Sequence, residues 1–330
     1  MRGAGLSAHV RSSNVTVCRE MSVTGETMAD DGILEPWGSG LARINRATGE
    51  RLAVVGAAMQ LRDLPCPACG SGSFHPLVVR NDFPIVRCDS CGSLYARPRP
   101  LEEQLASLYE RFPQLSNGRE GQANDDPQDG RWEAEYRLRR LLEFVKAGRL
   151  LDVGCGRGDF LTVAQRHFEV QGVDLVPRLR PEARTHHVFR GRLEDAGYPN
   201  AYFDVVTAVE VFEHMFDPRR TIREIHRVLK SRGILLFQTG DADSLRARLN
   251  LRTWTYLQPP VHLNVFSRKA LEQLAAAAGF LPLTSWSFGR APRKIPLLAN
   301  LWHADALRPV LDILASRRVI GAMHVWRSEI

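Results

Sequence analysis

The stretch Leu150-Leu151-Asp152-Val153 runs directly into Gly154-Cys155-Gly156-Arg157-Gly158 and then Asp159-Phe160. A short apolar run followed by alternating glycines reads as a strand whose tight turn opens a helix. A chain that makes this join is committed to strands alternating with helices. The flanking residues keep to that plan. Helices are predicted at Trp132–Val145, Phe160–His167, Pro218–Leu229 and Arg268–Ala278. Strands are predicted at Leu150–Val153, Val170–Val173, Phe203–Val209 and Gly233–Gln238, with two last apolar segments at Leu281–Phe288 and Ile320–Trp326. Short buried strands between helices imply a mainly parallel α/β sheet covered on both faces.

Composition removes several alternatives. With 44% apolar and 25% charged residues, the chain is neither a disordered segment, a collagen nor a coiled coil. No run of 18 apolar residues is present, so no membrane-spanning helix is expected. The first 20 residues lack an apolar core of the kind a secretory leader needs, which places the chain in the cytoplasm as an expectation. The net charge is +7, carried by 40 Arg and four Lys interleaved with 37 acids over the whole length. Nucleic-acid binders concentrate their cations in a stripe. An Arg-rich solvated surface is therefore preferred to a nucleic-acid partner.

Four of the six cysteines form two tight pairs, Cys66-Pro-Ala-Cys69-Gly and Cys88-Asp-Ser-Cys91-Gly, separated by 18 residues. That is the spacing of a four-thiolate zinc ribbon. Each C-x-x-C turn aims two sulfurs at one point, and the following glycine lets backbone N–H groups approach them. Two disulfides are the weaker reading in a reducing compartment. Four thiolates leave no open coordination position, so Zn²⁺ bound here is structural. Cys18 and Cys155 lack such partners and read as ordinary free cysteines.

The pattern divides the chain at about 330/150 ≈ two domains. Residues 1–61 show no sustained period and are expected to be disordered or an over-long start. Residues 62–113 hold the ribbon, with strands at Phe74–Arg80 and Pro84–Arg87 and a helix carrying Leu101, Leu105, Leu108 and Phe112 at helical spacing. Residues 114–130 read as a polar linker. Residues 131–330 form the sheet domain.

The glycine loop sits where such sheets hold a nucleotide-like ligand. A dinucleotide fingerprint needs a glycine at 159, and Asp159 stands there; a carboxylate at a helix start repels a pyrophosphate. Asp152 is likewise poorly placed beside phosphates and well placed for an ammonium. Asp174 closes the next strand, where an acid can accept both ribose hydroxyls. These charges favour S-adenosylmethionine over NAD.

Residues 131–290 resemble the class I S-adenosylmethionine-dependent methyltransferases, in the branch of the ubiquinone-pathway O-methyltransferases. The resemblance rests on LLDVGCGRGDF at 150–160, GVDL at 172–175, FDVVTAVEVFEHMFDP at 203–218, LKSRGILLFQTG at 229–240 and PPVHLNVFSRKALEQLAAAAGF at 259–280. An N-terminal ribbon such as Cys66–Cys91 also occurs in that branch. The resemblance implies a Rossmann-like seven-stranded, mainly parallel sheet. It implies that Asp152, Gly154, Gly156 and Asp174 bind S-adenosylmethionine and that Leu193 and Glu194 lie near its adenine. Where many relatives have an acid, this chain has Arg192.

Glu210, Glu213 and His214 would share a face if the chain turns helical after its fourth strand. His262 is a fourth candidate. In related enzymes a similar E-x-x-E-H with a distant histidine holds a divalent ion, often Mg²⁺, so Glu210, Glu213, His214 and His262 form one candidate metal set. The two histidines suit Mn²⁺, Fe²⁺ or Zn²⁺ equally. Direct base catalysis by His214 or His262 is the competing expectation, with Glu213 beside them. In a purely structural role Glu210 lines the cofactor pocket and Glu213 caps the next helix. Segment Asp241–Leu257, with Trp254 and Tyr256, either forms a substrate lid or packs the core. Residues Ile295–Ile313 are expected to pack or to make a homodimer contact.

These readings combine into a methyltransferase acting on a small or carrier-linked metabolite, at a hydroxyl. The rivals are an RNA methyltransferase that docks RNA on the ribbon, and a non-catalytic cofactor-binding interaction protein.

Overall fold

A computed structural model describes residues 60–111, 127–249, 251–254, 256–289 and 319–329. The expectations for residues 1–58, for Cys18 and for Ile295–Ile313 lie outside these residues, as does most of the 114–130 stretch.

The N-terminal part is built on a hairpin. Strand β1 (Leu61–Arg62) precedes β2 (Phe74–Arg80) and β3 (Phe83–Cys88), which pair antiparallel from Phe74↔Cys88 to Arg80↔Phe83. Asn81 and Asp82 both take positive φ, 46° and 65°, the two-residue turn whose twist matches a hairpin. Strand β4 (Leu94–Ala96) adds to β3, and β5 (Arg99–Pro100) returns to pair with β1. Helix α1 (Glu102–Arg111) follows, close to the predicted helix.

Helix α2 spans Pro127–Leu141, so the helix begins inside the stretch expected to be linker. Proline is pre-organised for the first helical turn. Gly130 is accommodated because a side chain there would meet Asp159 Oδ2 at 2.8 Å. Then come β6 (Gly148–Val153), α3 (Asp159–Ala164), β7 (Phe168–Asp174), β8 (His187–Arg190), β9 (Phe203–Val209), α4 (Pro218–Val228) and β10 (Leu229–Gly240). The short helix α5 (Leu245–Leu249), β11 (Asn264–Val265), α6 (Arg268–Ala278), β12 (Phe280–Gly289) and β13 (Val319–Ser328) complete the order. Helix α6 is capped at its start by Ser267 and ended by left-handed Gly279.

Seven strands form one sheet in the order β12-β13-β10-β9-β6-β7-β8. All pairings from β10 to β8 are parallel, and β13 alone runs against its neighbours. This is the Rossmann-like, mainly parallel sheet that the alternation predicts. The order reverses between β6 and β9, and such sheets bind their ligands outside the strands' carboxyl ends at that switch point.

The ribbon is not a separate bead. Strand β11, from the far side of the sequence, pairs antiparallel with β4 through Asn264↔Tyr95 and Val265↔Leu94, giving a sheet of order β11-β4-β3-β2. Ribbon residues Ile85, Leu94 and Ala96 share one apolar cluster with Leu105, Leu108 and Tyr109 of α1 and with Trp254, Tyr256, Leu257 and Val261. Trp254 and Tyr256 therefore pack the core; the lid reading of this aromatic pair is not what the structure shows. Among the described residues no helix is long and apolar enough to cross a membrane.

Because ribbon and sheet share core, the chain is expected to unfold in one transition. Leu94→Ala should cost about 2–5 kcal/mol, as for other fully buried leucines, and shift that single transition. Urea denaturation followed by tryptophan fluorescence and by circular dichroism checks this; two separated transitions would contradict it.

Candidate active site

The glycine loop leaves β6 and turns left-handed at Gly154, Gly156 and Gly158, with φ of 71°, 51° and 77°. Gly154 has a second reason to be glycine. A Cβ there would lie 2.4 Å from Val211 Cγ2, so the loop presses directly against the segment after β9. Asp174, at the end of β7, accepts the Gly156 N–H at 2.9 Å on one oxygen and the Val176 N–H at 2.8 Å on the other. Burial raises its carboxyl, and these two backbone donors work against that rise. Both oxygens are thereby aimed and keep lone pairs for a diol.

Asp152 is 4% exposed and accepts one hydrogen bond, from Thr207 Oγ1 at 2.7 Å, across the β6–β9 register. Burial pushes its carboxyl up to about 7. A buried acid in that state gains from a cation arriving beside it. Asp159 is paired with Arg180 at 2.7 Å and with Arg157 at 3.5 Å. Its charge is thus met within the protein, and the case against a pyrophosphate rests on Asp152 and Asp174.

Leu193 is buried in a 3₁₀ turn after β8. Glu194 turns to α4 and accepts from Thr221 Oγ1 at 2.7 Å. Arg192 reaches Glu102 of α1 at 3.2 Å. Arg192 thus bridges to the N-terminal part.

The segment after β9 is one 3₁₀ turn, Phe212–His214, not a longer helix. Glu210 precedes that turn at φ 55° and accepts from Gln238 Nε2 at 2.6 Å. It lies outside the group of ligand atoms formed by Glu213, His214 and His262, yet its carboxyl is hydrogen-bonded to that of Glu213. Burial, with Glu213 nearby, raises its carboxyl well above the usual range. Glu213, His214 and His262 do converge, with one ligand atom of each within 4.8 Å of the others. Asp217 caps α4 by accepting from the N–H groups of Arg219 and Arg220, so Glu213 is free of that structural task.

Glu213 has no exposed surface. Tyr256 OH donates to one of its oxygens and Thr239 Oγ1 to the other at 2.9 Å, while its carbonyl accepts the Leu263 N–H at 2.8 Å. His214 Nδ1 lies 2.9 Å from the Val261 carbonyl and 2.9 Å from Tyr109 OH. His262 Nδ1 lies 2.5 Å from the Tyr256 carbonyl. A carbonyl only accepts, so each ring carries its proton on Nδ1 and a lone pair on Nε2. Burial lowers the basicity of both, and His214 as a neighbour helps bring His262 down to about 3. The two rings stand edge to face, 4.7 Å between centroids.

The four ribbon cysteines also come together. Cys66 and Cys91 sulfurs are 3.6 Å apart, those of Cys69 and Cys88 3.5 Å, and all four fall in one group. A tetrahedral Zn–S distance of about 2.3 Å demands sulfur separations of roughly 3.8 Å. Gly70 and Gly92, at φ 78° and 80°, return N–H groups to the Cys66 and Cys88 carbonyls. Cys155 is a buried free thiol, pushed up by its burial and so unreactive.

Several residues escape the sequence reading. Tyr109 sits on the apolar stripe of α1, where a hydroxyl among leucines was the available signal. Gln238 and Thr239 lie in the LKSRGILLFQTG stretch and Tyr256 in the aromatic segment, but nothing in either marks them as partners of Glu210 and Glu213. Arg137 of α2, donating to Gln238 Oε1 at 3.3 Å, brings a cation near Asp152 and Glu210.

Residues 128–284 match a family of methyltransferase domains. Over those residues, just under half of the chain, the sequence is that of a class I S-adenosylmethionine-dependent methyltransferase domain. It is 28% identical over 186 residues to a malonyl-[acyl-carrier protein] O-methyltransferase of Serratia marcescens, covering 55% of this chain and 66% of that one. It is 37% identical over 101 residues to a ubiquinone biosynthesis O-methyltransferase of Idiomarina loihiensis, covering 28% of this chain and 42% of that one. The match thus spans less than two thirds of either relative. A solved complex of the Haloferax volcanii Trm112 methyltransferase activator with a methyltransferase shares the fold at TM-score 0.50 and 18% identity, covering 68% of this chain and 98% of the matched one.

Two substitutions test the geometry. Asp174→Ala should weaken S-adenosylhomocysteine binding by about 100-fold or more, since two charge-assisted bonds are lost, as read by calorimetry. Asp152→Asn should raise the melting temperature of the ligand-free protein, more at pH 8 than at pH 5. Its folded pKa of about 7 lies above the ordinary aspartate value of 3.8, so ionisation destabilises the fold progressively as pH rises between them. An equal effect at both pH values would contradict this.

Proposed function

We propose that this chain transfers the methyl group of S-adenosylmethionine to a hydroxyl of a small or carrier-linked metabolite. The observation that carries the reading is the pair of neutral imidazoles with Nε2 lone pairs beside buried Glu213, His214 lying on a segment packed against the glycine loop. The names of the two relatives, both O-methyltransferases, support the choice of oxygen and of a carrier-linked or small acceptor.

S-adenosylmethionine supplies an electrophilic methyl group on a sulfonium. Asp174 would hold the ribose hydroxyls, with Asp152, Gly154 and Gly156 around the rest of the cofactor, Glu210 lining its pocket, and Leu193 and Glu194 on the adenine side. His214 would take the acceptor hydroxyl's proton on Nε2, leaving the oxygen free to accept the methyl group that the cofactor would supply. His214 is the better base of the pair. The Val261 carbonyl and the charges of Glu210 and Asp174 counter its desolvation, whereas His262 is held at about 3. Positioning supplies most of the remaining acceleration.

A second reading has its own observation. Glu213, His214 and His262 offer three ligand atoms within 4.8 Å, and both Nδ1 protons are fixed on carbonyls as in metal-bound histidines. A divalent ion held there would lower the pKa of the acceptor hydroxyl. At the ribbon, Cys66, Cys69, Cys88 and Cys91 would hold one structural Zn²⁺.

Assay of a panel of phenols, sugars and carrier-linked acids with labelled S-adenosylmethionine tests the reading. His214→Ala should lower turnover by about 10²–10⁴-fold with S-adenosylhomocysteine affinity unchanged. The rising limb of the rate against pH should lie below the ordinary imidazole value of 6.5. Unaltered turnover in the variant would overturn the base assignment, and restoration of a chelator-treated enzyme by Mn²⁺ or Mg²⁺ would select the metal reading. Elemental analysis should give one zinc per chain, lost in Cys66→Ser/Cys91→Ser.

A further inference from the structure

The residues that carry His214 and His262 are held in place largely from the ribbon side. Arg99, at the end of the ribbon, is 2% exposed and donates to the Phe216 carbonyl at 2.8 Å and to Asn264 Oδ1 at 2.6 Å. Asn264 in turn donates through Nδ2 to the Met215 carbonyl at 2.7 Å. One buried guanidinium thus ties the turn bearing Glu213 and His214 to strand β11.

The loop bearing His262 is gripped at several further points. Ala96 N–H donates to the Leu263 carbonyl at 2.9 Å, beside the β4–β11 ladder. Asn81 Nδ2, at the tip of the β2–β3 hairpin, donates to the Pro259 carbonyl at 2.8 Å. Tyr109 OH donates to the Val261 carbonyl at 3.2 Å and accepts from His214 Nδ1. The cysteine centre itself is joined to this frame, because Ser267 Oγ donates to the Cys91 carbonyl and Ser267 N–H donates to Ser93 Oγ. The cofactor side shares an apolar cluster with the cysteines but has hydrogen bonds of its own. Asp174 and the glycine loop are bonded to β7 and to one another.

We infer that the ribbon is the positioning module for the acceptor half of the site, so that the four-cysteine centre sets the placement of His214 and His262 while leaving the cofactor half to the parallel sheet. The ribbon does this from inside the protein, through β4, Arg99 and Tyr109, and Tyr109 is a positioning residue for the His214 ring. The inference rests on reading His214 and His262 as the acceptor-side groups.

Hydrogen–deuterium exchange on the full chain tests it, before zinc removal with a chelator, after removal, and after zinc is added back. Amides of 212–216 and 257–267 should exchange at least about 10-fold faster in the stripped protein and recover with zinc, while 148–158 changes by less than about threefold. S-adenosylhomocysteine affinity should also hold within about threefold. Unchanged exchange at 257–267, or equal loosening of 148–158, would overturn the inference. Arg99→Gln, which keeps every cysteine, must loosen the same two segments with zinc content intact; if it does not, the inference falls. Tyr109→Phe should move the His214 imidazole ¹⁵N resonance and leave that of His324 in place, and a stationary His214 signal would remove Tyr109 from its role. Failure of untreated protein to bind S-adenosylhomocysteine would instead overturn the methyltransferase reading, independently of the exchange result.

Discussion

A carboxylate with no exposed surface, that of Glu213, is the constraint around which this site is arranged. Burying it raises its pKa and costs several kcal/mol unless each oxygen is bonded. The fold meets that demand from two directions, with Thr239 at the end of β10 and Tyr256 from the following loop. Its backbone carbonyl takes the Leu263 N–H as well. One residue therefore fixes the end of the central sheet, the aromatic loop and the approach to β11. Tyr256 can reach it only because Gly240 has no side chain: a Cβ there would lie 2.0 Å from the Tyr256 ring.

From that arrangement the chemistry of the neighbours follows. The Tyr256 carbonyl that remains after its hydroxyl is committed orients His262, and Val261, next in the loop, orients His214. Both imidazoles are left neutral, with their lone pairs on Nε2. The acidic half of the site, Asp152 and Asp174, sits on the parallel strands. The two halves meet where Gly154 presses on Val211.

The sheet was legible except for β8 (His187–Arg190), a four-residue strand too short to carry a period. Phe203–Val209, Phe74–Arg80 and Arg268–Ala278 form over the predicted residues, because apolar period and flanking breakers agree there. Motifs alone located Asp152, Asp174, the four cysteines, Glu213, His214 and His262. The start of α2 was hidden by Asp129-Gly130, a turn signal overridden by packing against Asp159. Glu210 meets Glu213 without helical spacing: its positive φ sets its carboxyl beside both Gln238 and Glu213. What local sequence could not contain is the joining of distant parts. The pairing of β4 with β11 links positions some 170 residues apart, and neither strand is long enough to carry a periodic signal. Arg99, Tyr109 and Asn264 acquire their roles only through that pairing, and so none of them stands out in the chain.

The most direct test of this account is a crystal structure of the full chain with S-adenosylhomocysteine. The account predicts the ribose hydroxyls on Asp174 and the sulfur facing His214 Nε2, with room between them for one methyl group and one hydroxyl oxygen. A sulfur turned away from His214 and His262, or a ligand seated elsewhere, would contradict it.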